Sequence, residues 1–143
     1  MNPRFEFLEH ISDAYVAAYG RDVKEAFENA ALGMFEVMTD TNKIEQKIEE
    51  EIQVEGYDEK ALLYNWLEQL LLRFEIDRRL YSRFEVTELL QSDKNWRLRA
   101  KVFGEPFDSA KHESRVEIKA VTYHRMEVKE EGDKCVLKFI LDL

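Results

Sequence analysis

The chain has 143 residues, 45% hydrophobic and 36% charged, which is enough apolar material for one ordinary domain to bury its own core and argues against a disordered chain. Its 21 Lys and Arg against 30 Asp and Glu leave a formal charge of -9, a poor basis for unaided binding to a phosphate backbone. The single cysteine, Cys135, excludes an internal disulfide and a zinc cluster of cysteines, and its apolar surroundings mark it as a small buried hydrophobe.

The opening segment FEFLEHISDAYVAAYG alternates at Phe5 and Phe7, and again at Tyr15, Ala17 and Tyr19. Period-two alternation predicts a strand, a break around Ser12 and Asp13, and a second strand, with Gly20 permitting the turn that follows. Asp22 then stands where a helix N-cap is needed, and Glu25 completes a capping box. Val23, Phe27, Ala30, Met34 and Val37 or Met38 give that helix one apolar face ending near Thr39. In TNKIEQKIEEEIQVEG, the even spacing of Ile44, Ile48, Ile52 and Val54 predicts a strand running to Gly56. Asp58 caps a second helix, whose face of Leu63, Trp66, Leu67, Leu70 and Phe74 is widened by Leu62, Leu71 and Leu72. So broad an apolar surface requires cover on more than one side.

From Leu80 the pattern is strand-like. FEVTELLQ, WRLRAKVFGE, VEIKAVTYHRMEVKEE and CVLKFILDL predict four strands, with a hairpin turn at Glu131–Lys134 and a polar loop, PFDSAKHES, after the second. Consecutive strands pair antiparallel by default. The expected architecture is therefore α+β, two helices packed on a largely antiparallel sheet, as a single domain over 1–143. No internal repeat or low-complexity tract is evident. With no run of 18 apolar residues, and with charge in MNPRFEFLEH where a signal peptide needs an apolar core, the expected location is cytoplasmic.

None of the motifs for familiar catalysis is present. His10, His112 and His124 lack helix-spaced partner ligands, no G-x-x-x-x-G-K phosphate loop occurs, and G-x-S-x-G is absent. His124 reads as a strand residue packed or hydrogen-bonded within the fold. What remains is two aspartates at strand ends, Asp13 and Asp142 in the closing ILDL. Aspartate is depleted in strands, so both positions ask for a reason. A turn would explain Asp13 alone; a hard cation such as calcium, which takes about six to eight oxygens, would explain both if the two ends meet.

Several stretches taken together, HISDAYVAAYG, FENAALGMFEVMTD, LLYNWLEQLLLRFE, GEPFDSAKHE, EIKAVTYHRMEV and ILDL, resemble the archease family over nearly the whole chain. The resemblance implies an archease-like fold and a protein that is not itself an enzyme but activates the RtcB-type tRNA-splicing RNA ligase. In that role it promotes guanylylation of a ligase histidine by GTP and sustains multiple turnover. The family's D-H-T-A-D motif stands here as Glu9, His10, Ile11, Ser12, Asp13. By resemblance, Asp13, Asp142 and the main-chain carboxylate of Leu143 would bind Ca2+ or another divalent cation. Lys119 matches a family lysine linked to activity, and His10 lies beside the site. Strand alternation places Lys119 on the face of Val121 and Tyr123, which allows a buried or semi-buried ammonium near the acidic pair, with a surface lysine as the alternative. Glu9 and Ile11 depart from the motif and remove the Thr hydroxyl from it.

Two other readings compete. One is a chaperone-like protein-binding module that exposes Leu62, Leu71 and Leu72; the other is a metal-dependent hydrolase built on Asp13 and Asp142. Suppression of aggregation of unrelated clients would favour the first, and phosphoester turnover by the isolated protein the second.

Overall fold

The computed structural model describes residues 3–8 and 13–143. Two strand–helix units in it are built alike. In the first, strand β2 (Asp13–Gly20) ends in glycine, Arg21 intervenes, and Asp22 caps helix α1 (Val23–Met38). In the second, strand β3 (Ile48–Gly56) ends in glycine, Tyr57 intervenes, and Asp58 caps helix α2 (Glu59–Asp77). At each junction the helix N-terminus folds back onto the glycine so closely that a Cβ there would collide with backbone of Ala26 or of Leu62. Each cap carboxylate accepts an amide N–H three residues on, Glu25 at 2.9 Å and Ala61 at 2.8 Å. Seven residues after each cap an asparagine donates 2.7 Å to the strand just left, Asn29 to the Tyr19 carbonyl and Asn65 to the Glu55 carbonyl. The sequence reading, which found no repeat, passes over this correspondence because it resides in one glycine and two polar residues and not in the apolar pattern.

The capping box at α1 is displaced by one residue. Glu25 bonds the N–H of Arg21 (2.8 Å) and its guanidinium, instead of the amide of Asp22.

The strands form two antiparallel sheets. In the first, β1 (Phe5–Phe7) pairs β2, β2 pairs β8 (Lys134–Asp142), and the far edge of β8 carries β6 (Ala120–Val121) and β7 (Glu127–Glu131). The second has the order β3, β5 (Asn95–Pro106), β4 (Arg79–Ser92), with bulges in β4 between Tyr81 and Arg83 and between Val86 and Glu88. The helices touch each other, and each helix touches both sheets. The core lies around this pair: Phe27, Met34, Phe35, Leu62, Leu63, Trp66, Leu67 and Leu70 are fully buried. Trp66 donates its indole N–H to the Phe27 carbonyl at 3.0 Å, so its one polar atom is satisfied inside the core.

Three expectations need correction. The third strand begins at Ile48; Ile44 is buried but follows a short 3-10 turn (Thr41–Lys43). The predicted strand VEIKAVTYHRMEVKEE is broken into β6 and β7, because Thr122 turns both its N–H and its hydroxyl onto the Ile140 carbonyl and Arg125 adopts a left-handed conformation (φ 56°). Leu62 and Leu71, offered as an exposed surface, belong to the core, and only Leu72 of the three is exposed.

Trp66→Ala is expected to destabilise the fold by about 3–5 kcal/mol, since it empties a core site and removes the indole tie between the helices. Trp66→Phe should cost distinctly less. Urea denaturation of the two variants checks both values.

Candidate functional site

The strand pair β2–β8 runs in register from Gly20 opposite Cys135 to Asp13 opposite Asp142. Ala14, Val16, Ala18, Leu137, Phe139 and Leu141 share the face packed into the core. Alternation therefore puts Asp13 and Asp142 together on the other face, with Tyr15 and Ile140 as the next pair along. Facing residues of an antiparallel pair hold their Cβ atoms about 4.5–5.5 Å apart, so the two carboxylates are immediate neighbours. Asp142 is exposed and Asp13 half-buried. The guanidinium of Arg125 lies 4.6 Å from the ring centre of Tyr15 on that face. Leu143, the next residue after Asp142, is partly buried against the core.

Lys119 takes the exposed alternative. It lies outside β6 with its side chain exposed, and it reaches the acidic end through its backbone N–H, which donates 2.7 Å to the Asp142 carbonyl. Among the described residues its ammonium makes no ion pair. His10, with Glu9, Ile11 and Ser12, lies outside the described residues. His124 is exposed on the loop after β6, not packed within the fold.

The donor set suits a hard, oxygen-liganded cation. Two like charges directly opposite each other on a sheet destabilise it unless something positive intervenes, and neither aspartate is ion-paired among the described residues. Among the described residues no group of three or more His, Cys, Asp or Glu side chains is placed to hold a metal ion, so main-chain oxygens, water or a partner would have to complete a coordination shell here.

A second charged cluster, not foreseen in the sequence, closes the corresponding end of the β3–β5–β4 sheet. Glu105 and His112 are both buried, with Glu105 Oε2 2.9 Å from His112 Nε2. His112 Nδ1 accepts the Asp108 amide N–H at 2.9 Å, which leaves the Nε2 proton for Glu105. Lys111 lies 2.8 Å from the same carboxylate, and the Glu45 amide donates to it at 2.8 Å. Burial pushes the Glu105 carboxyl up, but Lys111, the Glu45 amide and His112 together outweigh burial and bring it down to about 2. The only sequence signal was a histidine in a polar loop seven residues after a glutamate. Cys135 is buried as expected, and burial pushes its thiol up to about 12, an unreactive setting.

Two basic residues of β5 face carboxylates on both neighbouring strands: Arg97 pairs with Glu55, and Arg99 with Glu51 and Glu88. No described helix is long and apolar enough to cross a membrane.

With this geometry in view, comparison with known proteins is decisive. The sequence matches the Archease protein family over residues 5–143. The chain belongs to the archease family. It is 46% identical over 140 residues to the protein archease of Sulfurisphaera tokodaii, covering 98% of this chain and 99% of that one. The solution structure of Methanobacterium thermoautotrophicum protein 1598 superposes with a TM-score of 0.82 at 39% identity, covering 98% of this chain and 99% of that one. A Thermotoga maritima protein described as an archease, possible chaperone, shares the fold at a TM-score of 0.59 and 18% identity, over 96% of each chain. Two helices on antiparallel sheets are thus the architecture of this archease-family chain and of its relatives alike.

The Glu105 carboxyl sits at about 2 in the fold against an ordinary 4.5, so unfolding at acid pH takes up a proton. Its stabilisation is complete above pH 4.5 and is lost as the pH falls towards 2. Glu105→Gln should cost about 3 kcal/mol at neutral pH and flatten the loss of stability across that acid window, measured by chemical denaturation at a series of pH values.

Proposed function

We propose that this protein is a non-catalytic, cytoplasmic activator of an RtcB-type tRNA-splicing RNA ligase, promoting its guanylylation by GTP and its repeated turnover through a calcium-binding acidic end. The observation that carries the reading is the register of Asp13 against Asp142 in a chain that belongs to the archease family. The residues that would hold the cation are Asp13, Asp142 and the main-chain oxygens of Leu143. A cation there would present positive charge to phosphate or carboxylate oxygens of a partner. Its shell, short of ligands among the described residues, suits sharing with a second protein.

The chain's own residues set up that end. Burial of the Val16, Phe139 and Leu141 face holds the aspartates outward, and the Lys119 amide anchors the Asp142 backbone. Activation then requires that the acidic end bind the GTP-reactive ligase conformation more tightly than the resting one, because equal affinity for both shifts nothing. The chemistry belongs to the ligase, in keeping with a sequence that has no phosphate loop and a basic row already neutralised on its sheet. The chaperone-like alternative draws on the Thermotoga maritima relative's description, but burial of Leu62 and Leu71 removes the surface it invoked.

In protein stripped by chelator, adding calcium is expected to raise the thermal midpoint, by an amount equivalent to about 2.7 kcal/mol at a hundredfold excess over Kd, and Asp13→Asn should abolish the shift. In a guanylylation and multiple-turnover assay with the cognate ligase, GTP and RNA ends, the wild type should stimulate and Asp142→Ala should not. Full stimulation by Asp142→Ala would refute the acidic-end mechanism, and absence of stimulation by the wild type would refute ligase activation.

A further inference from the structure

On the face of the molecule where α2 meets the loop after β6, Tyr64 and Tyr123 stack with ring centres 4.4 Å apart and planes 5° from parallel. Tyr123 is 50% exposed, so one side of its ring is covered by Tyr64 and the other is open to solvent. Tyr57, 74% exposed, lies close by, and its neighbours are acidic: Asp58 at the α2 N-cap and Glu68 one turn beyond Tyr64. Glu68 and burial hold the Tyr64 phenol above its ordinary value, and burial, then Tyr57, Asp58 and Glu68 do the same for Tyr123, so both rings stay neutral.

Elsewhere this chain covers aromatic faces with its own arginines. Arg78 lies over Phe74, Arg83 over Phe103 and Arg125 over Tyr15, each 4.6–5.2 Å from the ring centre. Among the described residues no cation covers the Tyr64–Tyr123 stack, although it is richer in π-surface than any of those rings and has carboxylates beside it. An exposed ring face attracts a flat cation, and neighbouring carboxylates can take that cation's edge N–H groups. A nucleobase also stacks on tyrosine, but its phosphate would be repelled by Asp58 and Glu68.

We infer that the Tyr64–Tyr123 stack, flanked by Tyr57, Asp58 and Glu68, is a receptor for an arginine side chain of a partner protein, the guanidinium lying on Tyr123 and its N–H groups turned to the carboxylates. The site is separate in place from the acidic end: Tyr64 lies on α2, which meets this sheet at β6 and β7, whereas Asp13 and Asp142 close the β2–β8 pair, which packs on α1.

The test follows the ring signals of Tyr64 and Tyr123 by NMR while the isolated protein is titrated with a blocked pentapeptide containing two arginines. Its lysine counterpart and a short oligouridylate are titrated in parallel. Saturable shifts at both rings with the arginine peptide are expected, about two- to fivefold weaker for the lysine peptide and for Tyr123→Ala. Glu68→Gln should also weaken the arginine response without altering the stack. Equal responses to the arginine and lysine peptides, no saturable response to arginine, or oligouridylate shifting the same rings more tightly would each overturn the assignment. None of these outcomes depends on calcium or on the ligase.

Discussion

The register of β2 against β8 is the constraint on which the candidate site depends. Val16 faces Phe139, Ala18 faces Leu137, and all four are inaccessible to solvent. A slip of one residue would turn these side chains outward and drive Asp13 or Asp142 towards the core, so the hydrophobic face fixes the carboxylates as firmly as any contact they make themselves. The acidic end is a by-product of burial: the sheet holds two like charges together because moving either costs apolar contact.

The same logic runs through the rest of the molecule. The helix pair is locked where Trp66 hands its indole proton to the α1 backbone, which makes the core specific as well as apolar. At the second sheet, Glu105, His112 and Lys111 fasten the loop after β5, with each buried polar atom of the carboxylate and imidazole engaged. On the solvent face of that sheet, rows of glutamate and arginine spread charge across three strands, which lets a strongly acidic chain carry a basic strand.

Much of this was legible in the sequence. Apolar periodicity located both helices, and Asp22 and Asp58 marked their starts, because a cap is a local hydrogen bond that needs only neighbours in the chain. Asp13 and Asp142 stood out as misplaced in strands, and resemblance joined them. Of the two places open to Lys119, the structure gives the exposed one, just before the two-residue β6; the longer predicted strand fails beyond it at Thr122 and Arg125, because a side chain bonding a distant carbonyl leaves no periodic trace. The Glu105–His112 pair was invisible for a related reason: a buried charge is recognisable only once its partners converge, and Glu45 lies sixty residues from Glu105. The stacked tyrosines come from a helix and a loop whose meeting no local pattern announces.

The two like-built strand–helix units give the molecule its own control experiment. Each strand ends in glycine and is followed by a capping aspartate and a pinning asparagine, and each sheet carries carboxylate at the end away from that junction. At one end the chain answers the charge internally, with Lys111, Lys47 and the imidazole around Glu105. At the other it brings Asp13 and Asp142 together and leaves Lys119 turned to solvent. One scaffold built twice thus ends in two electrostatic settings: the carboxylate of one copy is answered by cations of its own fold, while among the described residues the paired aspartates of the other form no ion pair.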